Sequence, residues 1–499
     1  MKEYIHSLYS IFKKKAADAI SKRKYDTALK FLSAACHTAY TFYIGFRDEE
    51  IEDMLKKISG KIVKGELVEL SQDRVVLYDT FSQDSQGLTM QYLDAIIASG
   101  NDLLYVTEFN LDDPRSKLIK QTLLSYAKAE IVSVPSNLKG LKRVQMIYDT
   151  IAGFKASKLF IHINPSSVNA VAAFYALPKE ITRYQINLTD HTYWVGAGCM
   201  DYIFDWRQYG ASLSAKYRGF RKEQILMLPY YPMMKETPFE GFPIETDGKV
   251  KIFAGASYYK IIDENDSFFK INKAILDANP QAVTIFAGGG DRQLIDGLID
   301  KYRLKGRFLP IGQRNDIFQC FKHSDIYLST YPLFGGLMGQ FAAHAGLPML
   351  ALQKPGGGKV EESVCQKSDV QISFDNISEL VAEATRLVQD ESYRHEKGAW
   401  MRDCIVSIDE FNKSFISAIK TGNSPYPLEV EENVKLHYLN VDDKLKLVNQ
   451  NKQYQISLYH ILPKSILFSY PNIWLDGFIA RIRNSRVGTT LNKIKLSCL

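Results

Sequence analysis

The stretch SDIYLSTYPLFGGLMGQFAAHAGLPMLAL, residues 324–352, decides the fold of this chain. It opens with a short apolar run, Asp325–Ser329, that is typical of a buried strand. The glycine pair Gly335 and Gly336 then begins a helical run, and a second apolar strand, Met349–Leu352, follows it directly. A strand, a glycine-opened helix and another strand in succession predict a parallel sheet with helices on its faces.

The start of that helix poses a question of binding. The first amide groups of a helix have no partner inside it and carry the positive end of the helix dipole. Glycines at this point allow an anion such as a phosphate to approach the backbone. A tight turn that binds nothing is the alternative, so the rest of the chain must decide.

The alternation of apolar runs and helical stretches extends on both sides of this segment. It predicts an α/β fold with two tandem Rossmann-like, doubly wound domains and a helical N-terminal segment. The first series of predicted strands is RVVLYD, DLLYVTE, EIVSVP, KLFIHI and RYQINL. The second series is VKIFAG, AVTIFAGGG, GRFLPIG, DIYLST, MLAL and VQISF.

Four regions follow from these patterns. Residues 1–68 are expected to be helical, as one hairpin pair of the tetratricopeptide kind, although no 34-residue repeat is present. Residues 69–235 are expected to form the first Rossmann-like domain, and residues 248–420 the second. Leu228–Gly248, rich in proline and acidic residues, is the predicted connection. Residues 421–499 are a linker and a basic tail.

Composition limits the class of protein. The 499 residues include 62 Lys and Arg against 56 Asp and Glu, a net charge of +6 that is too mild to indicate a nucleic-acid partner. Six scattered cysteines without metal-binding spacing predict reduced thiols, no zinc site and a cytoplasmic chain. The N-terminus lacks the apolar core of a signal peptide, and no apolar run reaches about 18 residues, so we expect no membrane-spanning helix.

The C-terminal segment permits two interpretations. From Ser465 onward the segment is rich in apolar and aromatic residues and contains a single acidic residue, Asp476. It contains five basic residues, namely Arg481, Arg483, Arg486, Lys493 and Lys495. Such a segment can contact an anionic membrane peripherally. A C-terminal helix packed back on the body of the protein is the alternative.

Three loops of the second domain follow predicted strands and are candidates for nucleotide binding. Their candidate residues are Gly255, Ser257, Lys260, Gly312, Arg314, Gly335, Gly336, Leu337 and Met338. Lys260 can neutralise a diphosphate as a point charge, and Arg314 can cover the face of a base. The alternatives are a surface lysine and a helix start capped by Asn315 or Asp316. Three such loops in one domain favour nucleotide binding.

Two strand ends of the first domain carry histidines. His162 ends the strand KLFIHI, and Asp190 and His191 follow the strand RYQINL. A histidine whose tautomer is fixed by a carboxylate can act as a general base, so the candidate catalytic residues are His191, Asp190 and His162. For His162, a buried and hydrogen-bonded structural role is the alternative.

These segments resemble GT-B glycosyltransferases. The runs FAGASYYKI, AILDANPQAVTIFAG, GRFLPIGQRNDIFQCFKHSDIYLST and FGGLMGQFAAHAGLPMLAL are similar to the donor domain of the O-linked N-acetylglucosamine transferase family. LFIHINPSS, with His162, and MDYIFD are similar to first-domain segments of that family. TDHTYWVGAG is similar to a stretch of other bacterial GT-B enzymes. The likeness covers roughly residues 155–355.

The resemblance implies roles for single residues. Lys260 falls on the residue that contacts the donor diphosphate, Gly335 on the glycine that begins the phosphate-binding helix, and Arg314 on the basic residue beside the base. The chain departs from the family where hydroxyl residues are replaced by Leu337 and Met338. It departs again where the acid that holds the ribose is replaced by Phe341, with Gln340 and His344 nearby.

The resemblance implies that the first domain, residues 69–235, lies on the acceptor side and that the second, residues 248–420, binds the nucleotide sugar. The resulting expectation is a hexosyltransferase-type glycosyltransferase. It transfers a sugar from a nucleotide-sugar donor, a UDP-sugar by preference, to a glycan, lipid-linked or protein acceptor in bacterial surface polysaccharide or glycoconjugate synthesis. No metal and no other cofactor are expected, because Lys260 and helix amides can stabilise the departing diphosphate. Two alternatives remain: a non-catalytic nucleotide-sugar-binding scaffold and a GT-B nucleotide-sugar epimerase.

Overall fold

Two parallel β-sheets form the framework of the chain in the computed structural model. The structure describes residues 2–65, 69–84, 87–234, 237–246, 248–355, 358–365, 370–436, 453–464, 466 and 470–484. One sheet has seven strands and the other has six, and helices flank both. The predicted α/β architecture of two tandem Rossmann-like domains is therefore confirmed.

Three helices precede the first sheet: α1 (Lys2–Ser21), α2 (Tyr25–Phe42) and α3 (Glu49–Ser59). Asp48 caps α3 by accepting a hydrogen bond from the amide of Ile51 at 3.1 Å. Helix α2 ends at Tyr43, whose φ of 54° places it in the left-handed region. The N-terminal segment is thus helical, as predicted, with three helices rather than a single pair.

The first domain holds the seven-stranded sheet in the order β3-β2-β1-β4-β5-β6-β7. Its strands are β1 (Ser71–Asp79), β2 (Asp102–Thr107), β3 (Ala129–Ser133), β4 (Ala156–His162), β5 (Thr182–Ile186), β6 (Tyr202–Asp205) and β7 (Ile225–Met227). The helices between them are α4 (Thr89–Ala98), α5 (Lys117–Ser125), α6 (Gly140–Gly153), α7 (Val168–Ala176) and α8 (Gln208–Arg218). Helices α2 and α3 pack on α6 and α7, so the N-terminal helices share the core of this domain.

The second domain holds the six-stranded sheet in the order β10-β9-β8-β11-β12-β13. Its strands are β8 (Val250–Gly255), β9 (Ala282–Ala287), β10 (Phe308–Gly312), β11 (Ile326–Leu328), β12 (Met349–Leu352) and β13 (Ser373–Phe374). Its helices are α9 (Ser267–Ala278), α10 (Arg292–Lys301), α11 (Ile317–Lys322), α12 (Gly336–Ala345), α13 (Ile377–Gln389) and α14 (Glu391–Cys404). The deciding stretch forms β11, α12 and β12 as predicted, and Gly346 ends α12 with a φ of 74°.

One predicted domain boundary needs correction. Helix α15 (Ile408–Thr421) was assigned to the second domain, within 248–420, but its apolar face is buried in the core of the first. Phe411 and Phe415 pack against Tyr92 of α4, with ring centroids 5.4 and 5.8 Å apart. The chain therefore returns to its first domain after completing the second.

The described residues of the C-terminal segment include two further helices, α16 (Gln453–Ile461) and α17 (Pro471–Asn484). Tyr454 is buried against Phe42, and its hydroxyl lies 2.9 Å from that of Thr38 on α2. Ile473 of α17 joins the same core, so the described part of the tail packs on the body. Within the part of the chain that the structure describes, no helix is long and apolar enough to cross a membrane.

Candidate active site

A cavity of about 500 Å³ lies between the two domains. Its walls follow the carboxyl ends of β5, β6 and β7 in one sheet and of β8, β11 and β12 in the other, which is where α/β sheets bind ligands. The N-terminal helices contribute Tyr40, Thr41 and Tyr43 to the same lining. Three parts of the chain therefore build one site.

The wall from the first domain carries Asp190 and His191. His191 Nδ1 lies 3.3 Å from Asp190 Oδ1, and the His191 side chain is 44% exposed. Asp190 is fully buried and accepts two hydrogen bonds from Arg207, Nε to Oδ2 at 2.5 Å and Nη2 to Oδ1 at 3.0 Å. Burial alone would raise the pKa of Asp190, but Arg207 and His191 hold that pKa well below its usual range. The carboxylate is therefore ionised and orients the imidazole.

The backbone of the His191 loop is held from two sides. Arg218, which is completely buried, donates from Nη2 to the carbonyl oxygens of Asp190 and Thr192, both at 2.7 Å. From the N-terminal helices, the Glu52 carboxylate accepts a hydrogen bond from the Gly196 amide at 2.8 Å. Because both flanks are fixed, the exposed imidazole between them has a defined position facing the cavity.

The opposite wall carries Lys260. It lies in a short 3-10 helix, Tyr258–Ile261, directly after β8, and it lines the cavity. Burial lowers the pKa of Lys260, and no acidic side chain among the described residues forms an ion pair with it. A partly desolvated, unneutralised ammonium group is suited to binding an anion.

The first turn of α12 lies beside Lys260. The amides of Gly336, Leu337 and Met338 donate to no acceptor among the described residues, as expected for a helix start that faces a cavity. A Cβ atom on Gly255 would lie 2.8 Å from Met338 Cε, so this glycine lets α12 approach β8 closely. The Gly336 backbone itself lines the cavity.

Comparison with solved structures identifies this architecture. A point mutant of the Thermobaculum terrenum O-GlcNAc transferase aligns with a TM-score of 0.53 at 14% identity, over 83% of this chain and 82% of that one. A point mutant of S. aureus TarM, with Fondaparinux, alpha-GlcNAc-glycerol and UDP, aligns with a TM-score of 0.50 at 10% identity, over 70% and 100%. A glycosyltransferase from Rickettsia africae aligns with a TM-score of 0.50 at 9% identity, over 70% and 99%.

The chain has the GT-B glycosyltransferase fold. At these identities the likeness establishes the fold alone. Neither a protein-family model nor a curated protein sequence matches the chain.

Within the GT-B cleft, the predicted residues separate into two groups. Asp190, His191, Lys260 and Gly336 line the cavity, and Gly335 precedes Gly336 in the chain. Besides Gly335, six predicted donor-binding residues do not line the cavity, namely Gly255, Ser257, Gly312, Arg314, Leu337 and Met338. Leu337 and Met338 belong to the first turn of α12, so their amides remain close to it.

Arg314 forms an ion pair with an acidic residue of its own loop in this GT-B chain. Its guanidinium donates to Asp316 twice, at 2.7 and 2.6 Å, and its side chain is only 7% exposed. Asp316 also accepts the amide of Glu240 at 2.8 Å, which ties this loop to the connection between the domains. The contact of Arg314 with a base stays a prediction.

His162 lies in the core, which corrects its place among the catalytic candidates. Its side chain is 1% exposed, and its Nδ1 lies 3.1 Å from Asp79 Oδ1. The Gly87 backbone approaches so closely that a Cβ atom there would lie 2.5 Å from His162 Cε1. The alternative of a buried, hydrogen-bonded histidine describes this residue, because it ends β4 inside the sheet.

The sequence analysis missed several residues of the GT-B cleft. Arg207 lies two residues after the end of β6, so the rule that ligands bind after strand ends was the signal that pointed to it. Tyr40 and Tyr43 had no such signal, because α2 reaches the cleft only through tertiary packing. Among the described residues, no group of three or more His, Cys, Asp or Glu lies where it could hold a metal ion.

Proposed function

We propose that this chain is a cytoplasmic glycosyltransferase that uses a nucleotide-sugar donor, with a UDP-sugar as the favoured one. The observation that carries the proposal is the pairing of two walls across one cavity. Lys260 and the free amides of α12 offer positive charge on one wall, and the Asp190–His191 pair offers a base on the other. The S. aureus TarM structure, which has the same fold, contains UDP.

The geometry assigns a role to each wall. The diphosphate of the donor binds against Lys260 and the first turn of α12, where charge also develops as the bond to the sugar breaks. His191 donates its Nδ1 proton to Asp190, which leaves Nε2 to accept the proton of an acceptor hydroxyl. The acceptor oxygen bonds to C1 of the sugar, and the nucleoside diphosphate leaves with the electron pair.

Thermal shift tests the donor site first. UDP, GDP, ADP and TDP are added to the full chain, and a ligand at about 100 times its Kd adds about 2.7 kcal/mol of stability. We expect UDP to give the largest rise in melting temperature. No rise with any of the four nucleotides would overturn the donor site.

Lys260→Ala then tests the charge on the second wall. We expect turnover to fall by about 10²–10³-fold with an unchanged melting temperature, as for a lost oxyanion donor. Lys270→Ala, at an exposed lysine of α9, is the matched control. Turnover in EDTA should equal turnover without it, because Lys260 and the amides supply the positive charge. An epimerase would change the donor sugar without an acceptor, and a scaffold would bind the donor without turnover.

The acceptor is proposed to be a lipid-linked or surface glycan reached from the membrane face. Helix α17 buries Ile473 and Ala480 but leaves four apolar side chains 36–47% exposed, namely Leu475, Phe478, Ile479 and Ile482. Arg481 stands among them, and the basic residues Arg486, Lys493 and Lys495 follow in a stretch outside the described residues. An apolar stripe with basic neighbours suits an anionic lipid surface.

Vesicle binding tests this face. We expect the full chain to sediment with vesicles of phosphatidylglycerol but not with vesicles of phosphatidylcholine. Ile479→Asp should abolish sedimentation, because it places a charge in the apolar stripe. Leu124→Asp, at a leucine of α5 that is 69% exposed, is the matched control and should bind normally. Equal binding by both variants would remove α17 from the proposal.

A further inference from the structure

Two tyrosines from distant parts of the chain line the cavity near His191. Tyr43 ends α2, and the centroid of its ring lies 6.0 Å from the His191 imidazole, at an interplanar angle of 58°. Tyr259 lies in the 3-10 helix beside Lys260, on the second domain. Tyr43 and Tyr259 thus lie on the lining of one cavity, together with His191.

The placement of both rings is unusual. Tyr43 occupies the left-handed backbone region at the end of a helix, where glycine is the common residue because a side chain is strained there. Tyr259 is 42% exposed, whereas Tyr258 and Ile261 in the same turn are buried. Neither position is explained by core packing alone, because both rings face the cavity.

The surroundings favour a sugar over a peptide. A phenol offers a flat apolar face and a polar hydroxyl at low cost in side-chain entropy, which complements the C–H face and hydroxyl rim of a sugar ring. Tyr40, Thr41 and Thr330 add neutral hydroxyls to the same lining. Pairing with an edge strand is one common way to bind an extended peptide, and none of the edge strands β3, β7, β10 and β13 contributes a described residue to the cavity.

We propose that Tyr43 and Tyr259 form the acceptor subsite and bind a sugar ring whose hydroxyl faces His191. The acceptor is thus a saccharide. This inference rests on the proposed function, since it places the acceptor opposite the donor diphosphate. The N-terminal helices then act in substrate selection through Tyr43, besides packing on the first domain.

Acceptor kinetics test the subsite. The probes are p-nitrophenyl glycosides of glucose, galactose, mannose and N-acetylglucosamine, and an unstructured peptide rich in serine and threonine. The donor is the nucleotide sugar whose hydrolysis the wild-type chain catalyses fastest without an acceptor. We expect Tyr43→Ala and Tyr259→Ala each to raise the acceptor KM by up to about tenfold, the range of a lost aromatic contact.

Matched variants separate stacking from stability. Tyr43→Phe and Tyr259→Phe keep the ring and should retain most of the acceptor affinity. Tyr4→Ala, at a tyrosine of α1 that is 50% exposed, should leave the acceptor KM unchanged. Melting temperatures of the two alanine variants equal to that of the wild-type chain show that they are folded.

Each other outcome decides the question. Transfer to the peptide but to none of the glycosides overturns the saccharide acceptor. An unchanged acceptor KM in both alanine variants, at wild-type melting temperatures, also overturns it. No hydrolysis of any nucleotide sugar by the wild-type chain refutes the proposed function instead, and this inference with it.

Discussion

His162 is the last residue of β4 and His191 follows the neighbouring parallel strand β5, and the surroundings of the two histidines differ. Each has a carboxylate near Nδ1, Asp79 at 3.1 Å and Asp190 at 3.3 Å. Yet the His162 side chain is 1% exposed and the His191 side chain 44%. A histidine paired with an acid therefore does not by itself mark a catalytic residue.

Position relative to the strand end explains the difference. His162 is the last residue of β4 and is in register with Asp79 of β1, so both side chains belong to the sheet. Phe81 and Gly87 close over the imidazole. His191 instead comes five residues after Ile186, the end of β5, in a loop fixed by other side chains. An imidazole in a loop beyond the end of the strand is accessible to a substrate in the cavity.

The largest expected effect is on catalysis at His191. His191→Ala should lower the transfer rate by about 10²–10⁴-fold, the usual contribution of a general base, with little change in stability. Steady-state kinetics against donor and acceptor check this. A parallel loss of donor affinity would make His191 a contact to the donor sugar, and wild-type kinetics would remove it from the site.

His162→Ala should lower the stability of the fold more than it lowers the transfer rate. We expect the free energy of unfolding to fall by about 2–5 kcal/mol, because a cavity forms and buried Asp79 loses one of its partners while the hydroxyls of Thr89 and Tyr105 remain. Urea denaturation measures this loss, and His162→Asn, which keeps a polar partner for Asp79, should lose less. A stable His162→Ala variant with severely reduced turnover would reverse the comparison and return His162 to the catalytic residues.

A pH series sharpens the comparison for the acids behind His191. Burial raises the pKa of Asp205 to about 6, above its usual 3.8. Between these values the folded chain binds this proton and the unfolded chain does not, so this group lowers stability as the pH rises, by about 3 kcal/mol in all. Asp205→Asn should remove that decline between about pH 4 and 6.

The pH dependence of stability that Asp190 contributes has the opposite sign, so Asp190 serves as the reference in that series. Its lowered pKa contributes stability that is present above its usual value and is lost as the pH falls below it. If Asp205→Asn leaves the pH dependence of urea unfolding unchanged across this window, Asp205 titrates normally in the fold.

The smallest expected effect concerns the support of the imidazole. Arg207→Lys keeps the positive charge but cannot make both hydrogen bonds to Asp190, so stability should fall by about 1.5–3 kcal/mol. Turnover should fall less than in His191→Ala. Thermal denaturation and steady-state kinetics on one preparation measure both. Wild-type values of both quantities would show that the second hydrogen bond contributes nothing.

Much of the fold could be predicted from the sequence because the strands are continuous apolar runs bounded by glycine and proline. The short strands β6 and β7 were not assigned as strands, since runs of four and three residues are too short for a pattern. The amphipathic pattern of α15 showed that it buries one face but not which domain covers it. In the site, Lys260 and His191 could be found from strand ends.

Tertiary packing determines what the pattern left open. Tyr43 directly follows α2, which precedes the first sheet by many residues, and only the packing of α2 on that domain brings this tyrosine to the cleft. The Asp316 partner of Arg314 was considered in the sequence only as a helix cap. Local patterns indicate which residues have suitable chemistry, and long-range contacts decide which of them meet.

The return of α15 to the first domain makes the second domain an insertion within the first. The chain leaves the first sheet after Met227 and comes back after Cys404, and the two crossings lie side by side, with the Tyr231 and Phe411 rings 5.4 Å apart. Two adjacent connections allow bending of one domain towards the other but restrict twisting. For protein engineering, the second domain is therefore a unit with two junctions to the first, and exchanging it for that of another protein requires replacing residues 250–404 as one block.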